Sequence, residues 1–316
     1  MHHYRLFGGT LRTDFAVPEL QPAPPAAPTW TLTSAVGPPA AAEGELLGSE
    51  TVTPQAAVHM FRRPTGFRLA FDDTGCFDIS ADGSAIHWTH AEDASIADAR
   101  ADLTSRVIAA ALHAAGTLCL HGSAVLCGDE AIGFVAPKFH GKSTLALALV
   151  GAGAKLLTDD TLPIDPGPPA HAYPGLHSTR LWPDSASRVG IGTGEAPAGT
   201  SKQLFSALPD EHTTHAGHPL GAVYLLQPVR QPRGDDGAVV WRTRLPSVEA
   251  ALVMIGHAKL APLLAKSEAP ALMRSAAAIA ASVPVYRLSL VRDLDRLDEV
   301  VATVRAWHSC LGASVA

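Results

Sequence analysis

Apolar positions along this chain follow two rhythms. Up to about residue 95 they form short runs cut off by proline and glycine: "HYRLFG", "TWTLTSAV", "GFRLAFD" and "CFDISADGSAIHW". Runs of this length, rich in β-branched and aromatic residues, predict strands. The "ADG" inside the last run sits where a hairpin turn belongs. "LQPAPPAAPT" and "VGPPAAAEG" read as loops. The pattern predicts a small, mostly antiparallel β-rich domain over residues 1–95, without a cluster of catalytic side chains.

The rhythm changes at residue 96. Ile96, Leu103, Val107, Ile108 and Leu112 recur at helical spacing, predicting a helix over 96–115 that leads into a second domain. From there the chain reads strand ("LCLHGSAVLC"), turn ("GDE"), strand ("AIGFVA"), loop, helix ("KSTLALALVGAG") and strand ("KLLTDDTLPI"). Later strands are "GAVYLLQ", "AVVWRTRL" and "PVYRLSLV", with a hairpin loop at "RQPRGDD". The last helix, "LDRLDEVVATVRAW", carries Leu294, Leu297, Val300 and Val304 on one packing face. Alternating strands and helices predict an α/β domain over 96–316. Its sheet should be mixed, because the first two strands are a hairpin's length apart.

Composition narrows the function. With 316 residues, 47% of them hydrophobic and a formal net charge of −6, the chain can bury a large core but has no basic footprint. Nucleic acid is therefore not the expected partner. Cys76, Cys119, Cys127 and Cys310 are scattered and form no C-x-x-C pair, as expected of thiols in a reducing cytoplasm. The N-terminus lacks the apolar run of a signal peptide. The most apolar helical stretch, "ALMRSAAAIAASVPV", is broken by Arg274 and Pro284 and is too short to span a bilayer. A cytoplasmic protein without a membrane partner is the expectation.

The most informative stretch is "APKFHGKST", residues 136–144. In a G-x-x-x-x-G-K-[ST] loop, successive backbone N–H groups and a helix N-terminus converge on phosphate. The lysine reaches the terminal phosphates and the hydroxyl holds Mg²⁺. Gly141, Lys142 and Ser143 are in place, Thr144 opens the helix, and a buried strand precedes the loop. Ala136, Pro137, Lys138, Phe139 and His140 complete the nucleotide-binding candidates. Ala136 stands for the first glycine at little cost, whereas Phe139 sits where glycine usually eases close backbone approach. Guanine-specific proteins use an Asn-Lys-x-Asp segment, and this chain contains no asparagine. An adenine nucleotide fits better. Asp159 and Asp160 end the strand after the loop's helix, where a carboxylate can hold Mg²⁺ or take a proton from a hydroxyl. His121 lies on the strand one hairpin before the loop. His212, His215 and His218 are three residues apart but lack a second ligand cluster, so they read as a polar loop.

The ordered set "LHGSAVL…GKSTLA…LLTDD" resembles the catalytic half of the HPr kinase/phosphorylase family, whose shape is "LHASAV…GKSTLA…LLSDD". "STRLWPD" (178–184), "GTSKQ" (199–203), "PLGAVYLLQ" and "PVYRLSLVRDL" look like downstream landmarks of its relatives, and "YRLFGGTLRTDFAVPEL" is similar to their first strand. The likeness is closer to kinase-like proteins found near peptide-modification genes, including lasso-peptide tail kinases, than to the HPr enzymes. The long signature segment with which those enzymes complete their site is absent, so HPr is not the implied substrate. The resemblance implies an α/β P-loop kinase domain of the HPr kinase/PEP carboxykinase type, behind a small β-rich domain. It also implies ATP and Mg²⁺ as cofactors, and as acceptor a hydroxyl on a peptide, protein or small molecule. On that reading Lys142 binds the β and γ phosphates, and Ser143 and Asp160 hold Mg²⁺. Asp159 is the base on the acceptor, and His121 orients it. Arg180 and Lys202 are candidates for neutralising transferred phosphate. The Asp roles could be exchanged, and the family's hexamers leave a homo-oligomer open here. The alternatives are a nucleotide-binding module without catalysis, or another nucleotide- or pyrophosphate-dependent transfer on the same scaffold.

Overall fold

The structure, a computed structural model, describes residues 1–38, 43–54, 56–176, 179–181, 183–189, 203–205, 212–234, 236–264 and 266–308. The chain forms two compact units: Met1–Cys119 with Ala258–Ser275, and Leu120–His257 with Ala276–Ala316. The division falls at Cys119 rather than at residue 95, because the 96–115 helix packs on the first sheet. A later excursion, 258–275, also returns to the first unit.

The first unit is built on a sheet of nine strands among the described residues. They are β1 (His2–Leu6), β2 (Gly9–Thr13), β3 (Gln21–Pro22), β4 (Trp30–Val36), β5 (Glu45–Thr53), β6 (Ala56–Arg63), β7 (Gly66–Phe71), β8 (Gly75–Ser80) and β9 (Ala85–His90), in the order β3-β1-β2-β4-β9-β8-β7-β6-β5. The joins are antiparallel except β2–β4 and β4–β9, which makes the sheet mixed. The "ADG" turn joins β8 to β9, with Gly83 at φ +76°, a conformation glycine adopts without steric cost. Leu69, Phe77, Ile79, Ile86 and Trp88 form the buried centre. The helical stretch is interrupted: α1 (Ile96–Asp102) passes into a π-helical turn over Leu103–Val107, then α2 (Ile108–Ala114). Thr74 Oγ1 donates to Asp102 Oδ2 at 2.7 Å where α1 ends. The returning segment is tied down by ion pairs of Glu268 with Arg62 and with His113.

β10 (Leu118–Leu120) carries the chain from the first unit to the second. There follow β11 (Gly122–Cys127), β12 (Glu130–Val135), α3 (Lys142–Gly151), β13 (Lys155–Thr158), β14 (Leu162–Asp165), β15 (His171–Ala172), β16 (Thr179–Leu181), α4 (Pro183–Val189) and β17 (Gln203–Phe205). The rest are β18 (His218–Val229), β19 (Val240–Arg244), α5 (Ser247–Gly256), α6 (Ala269–Ser282), β20 (Val285–Val291) and α7 (Leu297–Trp307). Side by side run β19-β20-β18-β12-β11-β13, with β12–β18 and β18–β20 parallel and the remaining joins antiparallel. This sheet too is mixed. The "RQPRGDD" stretch is not the loop of a paired hairpin, because β20 inserts between β18 and β19.

Helices α3 and α7 bury Leu145, Leu149, Val150, Val300 and Val304 against Ile132, Phe134, Tyr224 and Leu288. Each such side chain contributes about 1.5–3 kcal/mol through water-free burial. Leu294 lies in the turn before α7 and stays partly exposed rather than joining that face. At the end of α7 the Arg242 guanidinium lies over the rings of Tyr286 and Trp307, 4.7 and 4.5 Å from their centroids. It donates to Tyr224 Oη at 2.7 Å, and that hydroxyl is 2.6 Å from His308 Nε2.

Candidate functional site

The site grows out of two interruptions in the second sheet. "LCLHGSAVLC" and "KLLTDDTLPI" each predict one strand, yet the chain bends at His121 and again at Asp159–Asp160. Asp160 takes φ +73°, a left-handed conformation costing an ordinary residue about 1–2 kcal/mol. Strain of this kind persists where surrounding structure over-determines it, and it clusters at functional sites. The bend turns the two carboxylates apart.

Asp159 is buried, and its Oδ1 accepts from Ser123 Oγ at 2.5 Å and from Ser143 Oγ at 3.0 Å. Asp160 is half-buried, and its Oδ1 lies 3.2 Å from His121 Nδ1, whose ring also meets the Asp160 carbonyl at 3.2 Å. One carboxylate thus faces the loop's hydroxyl and the other faces a histidine. Ser123 went unnamed as a candidate, because nothing in its local sequence shows that the fold brings Asp159 to it.

The loop runs from the end of β12 into α3. Ala136 is buried, Pro137, Lys138 and Phe139 are exposed, and Phe139 (64% exposed) stands at its crown. Phe139 and Gly141 both have positive φ, +69° and +86°. His140 Nδ1 is 2.9 Å from the Lys138 carbonyl. Lys142 is buried, and its Nζ donates back to the carbonyls of Ala136 (2.8 Å) and Pro137 (3.3 Å). No side chain caps the first turn of α3. Thr144 Oγ1 donates to Ser185 Oγ on α4 at 3.2 Å. Backbone amides, a lysine at the first helical position and a hydroxyl beside a buried carboxylate are the groups a polyphosphate and its metal require.

Sequence reading also overlooked His257, at the C-terminal end of α5. Its carbonyl accepts from the His121 N–H at 2.7 Å. Burial lowers its imidazole pKa, and the charges of Lys142, His121 and His140 lower it further. No periodicity singles out a histidine that ends an apolar helix.

Arg180 lies in β16, with its side chain outside the described residues, and Lys202 lies outside them altogether. His218 opens β18, its Nε2 2.9 Å from Thr214 Oγ1. No group of three or more His, Cys, Asp or Glu side chains is placed to hold a metal among the described residues. No helix among them is long and apolar enough to cross a membrane.

Fold and site together define a mixed α/β protein with two large mixed sheets, whose strand–loop–helix and adjoining acidic pair lie in one unit. No protein-family model matches the chain, and no curated protein does. Among solved structures it is similar to the HPr(Ser) kinase/phosphatase from Coxiella burnetii, at 10% identity and a TM-score of 0.33. That match covers 62% of this chain and 99% of the other. So distant a likeness carries no weight for activity, which has to be argued from the residues themselves.

Proposed function

We propose that the chain binds ATP with Mg²⁺ and transfers the terminal phosphoryl group to a hydroxyl, on a serine or threonine of a peptide or protein or on a small molecule. The carrying observation is the contact between Ser143 Oγ and Asp159 Oδ1 at the start of α3, 3.0 Å long. Ser143, Ser123 and Asp159 offer hard oxygen donors of the kind Mg²⁺ prefers, and Mg²⁺ commonly takes one or two protein carboxylates plus substrate phosphates. The residues therefore fit that ion. Held there, it would supply positive charge to offset that of the phosphates.

The chain's own groups divide the remaining work. The loop amides and Lys142 hold the phosphates, the lysine exchanging its contacts with the Ala136 and Pro137 carbonyls for phosphate oxygens. Asp160, half-buried and paired with His121, takes the proton of the acceptor hydroxyl, and His121 orients it. This reverses the division that the family resemblance implies, since the buried Asp159 is bonded to the loop hydroxyl of Ser143 and Asp160 is paired with His121 instead. Exposed Phe139 shields the transferring group from water.

The test is calorimetry with MgATP combined with phosphoryl transfer to a library of hydroxyl-bearing peptides and small molecules. Lys142→Ala should abolish most binding. Asp160→Asn should keep binding and lose transfer by a factor of about 10²–10⁴, whereas Asp159→Asn should weaken Mg²⁺-dependent binding. Equal MgATP affinity in wild type and Lys142→Ala would reject the loop as a nucleotide site. Wild-type binding without any transfer would leave a non-catalytic nucleotide-binding module.

A further inference from the structure

We propose that His121 is a nucleophile as well as the partner of Asp160, and that the phosphoryl group reaches its hydroxyl acceptor through a phosphohistidine at Nε2. The inference rests on the nucleotide-binding reading and adds to it a covalent step carried by this chain.

Side-chain contacts assign the two ring nitrogens. His121 Nδ1 faces two oxygens of Asp160, the carboxylate Oδ1 and the main-chain carbonyl, each at 3.2 Å. Both are acceptors, so Nδ1 carries the proton and Nε2 the lone pair. Among the described residues no hydrogen bond or ion pair engages Nε2, and the His121 side chain is 32% exposed. Orienting Asp160 requires Nδ1 alone. An imidazole held by a carboxylate through Nδ1 and bare at Nε2 has the form of an activated nucleophile.

Main-chain pairing sets this dyad beside the loop. The β11–β12 ladder ends at the Gly122–Val135 pair, so His121 and Ala136 lie at the same end of the hairpin, one in the bend and the other opening the loop. The Ala136 carbonyl accepts from Lys142 Nζ at 2.8 Å, which brings the ammonium to that end as well. One pair further in, Ser123 Oγ donates to Asp159, which also accepts from Ser143 Oγ. The His121 N–H donates to the His257 carbonyl at 2.7 Å, and this bond fixes the main chain of the bend.

The two steps balance. The Nε2 lone pair attacks the γ-phosphorus and an N–P bond forms. The bond from that phosphorus to the bridging oxygen breaks, its electron pair going to the departing ADP. Nδ1 keeps its proton, so the ring becomes a phosphorylated imidazolium beside the Asp160 carboxylate. The acceptor hydroxyl then attacks the same phosphorus. Its proton passes to Asp160, the N–P bond breaks, and that electron pair returns to Nε2. Asp160 thus remains the base, and one difficult transfer is split into two.

The experiment incubates the full chain with MgATP labelled at the γ-phosphorus, in the absence of an acceptor. It reads label bound to protein, exchange of labelled ADP into ATP, and MgATP affinity by calorimetry. Wild type should carry a label that survives alkali, is lost in acid and maps to residue 121, and it should exchange ADP into ATP. His121→Asn keeps an amide N–H near the place of Nδ1 to orient Asp160, but has no nucleophile. It should bind MgATP as wild type does, lose label and exchange, and transfer to a peptide or small-molecule hydroxyl about a hundredfold or more slowly. Undiminished transfer by that variant overturns the proposal and leaves the nucleotide site intact. So does wild type that binds MgATP with neither label nor exchange, and so does a label that survives acid, the mark of a phosphorylated hydroxyl. Should His121→Asn fail to fold, label and exchange in wild type decide alone. Wild type that binds no MgATP overturns the nucleotide reading and this proposal with it.

Discussion

Asp160 and Phe139 share an unusual property: both are non-glycine residues held at positive φ within the candidate site. They serve different ends. At Asp160 the left-handed turn separates two adjacent carboxylates, sending one toward Ser123 and Ser143 and the other toward His121. Neighbouring carboxylates in a regular strand would also have pointed to opposite faces, but without the bend at Asp159–Asp160. At Phe139 the same conformation raises an exposed ring at the crown of the loop. The energetic balance there can be stated. Phenylalanine loses about 1–2 kcal/mol in this region, and glycine would avoid that loss but forfeit about 0.4–1 kcal/mol through its freer unfolded chain. Phe139→Gly should therefore leave thermal stability within about 1 kcal/mol of wild type, or slightly above it. If the ring shields the transferring phosphoryl group, the same variant should raise ATP hydrolysis relative to transfer. Unfolding scans and a side-by-side assay of both products check the two halves.

At the scale of elements, the π-helical turn between α1 and α2 marks where sequence spacing and structure part. Ile96, Leu103, Val107, Ile108 and Leu112 predict one helix, and helical it is, yet the apolar rhythm carries no sign of the widened turn. Its neighbour Asp102 is buried, and burial pushes its carboxyl up to about 6 despite the Thr74 hydrogen bond. The folded chain thus holds that proton more tightly than the unfolded chain does. Stability from this group is complete below about pH 4 and falls as pH rises to about 6, a loss on the order of 2–3 kcal/mol at neutral pH. Asp102→Asn keeps an acceptor for Thr74 without the charge. It should raise the unfolding midpoint by several degrees at pH 7.5 and change little at pH 4, as thermal scans at the two pH values would show.

Elements with alternating or helical apolar patterns were legible: β7, β8, β9, α3, β20 and α7 lie where the pattern puts them. β5 escaped notice because threonine, glycine and glutamate dilute its alternation, and β6 because it opens on two alanines and ends on two arginines. α5 was missed because it follows Pro246 without a capping side chain. The loop and the acidic pair could be read from side-chain chemistry at fixed spacing. Ser123 and His257 could not, because their relevance depends on which distant segments the sheet brings beside them.

For the whole molecule, acid acts on the second unit in the opposite sense. His308 accepts from the Tyr224 hydroxyl, which itself accepts from Arg242, and burial together with the Arg242 charge lowers its pKa to about 4. The folded chain resists protonating that ring, so its contribution is present above about pH 6.5 and is lost as pH falls toward 4. Burial also raises the Tyr224 hydroxyl to about 12, which keeps it a donor throughout this range. His308→Gln should flatten the acid dependence of amide protection in β18 and β20 between pH 6.5 and 4, measured by hydrogen exchange. Protection that still declines as in wild type would place the acid sensitivity elsewhere.

The division of the chain also bears on how it is made. A ribosome delivers residues in order, and domains commonly fold as they emerge, the N-terminal one first. Here the first unit still lacks residues 258–275 after Cys119 has been synthesised. At about 5–20 residues per second, the wait is roughly ten to thirty seconds. During that interval β5 and β6 are without the segment that carries Leu263 and Glu268 to them, while the second unit is itself unfinished until α7 appears. The nascent chain therefore holds two incomplete cores at once, and slowing elongation before residue 258 should lengthen its exposure to chaperones instead of aiding its folding.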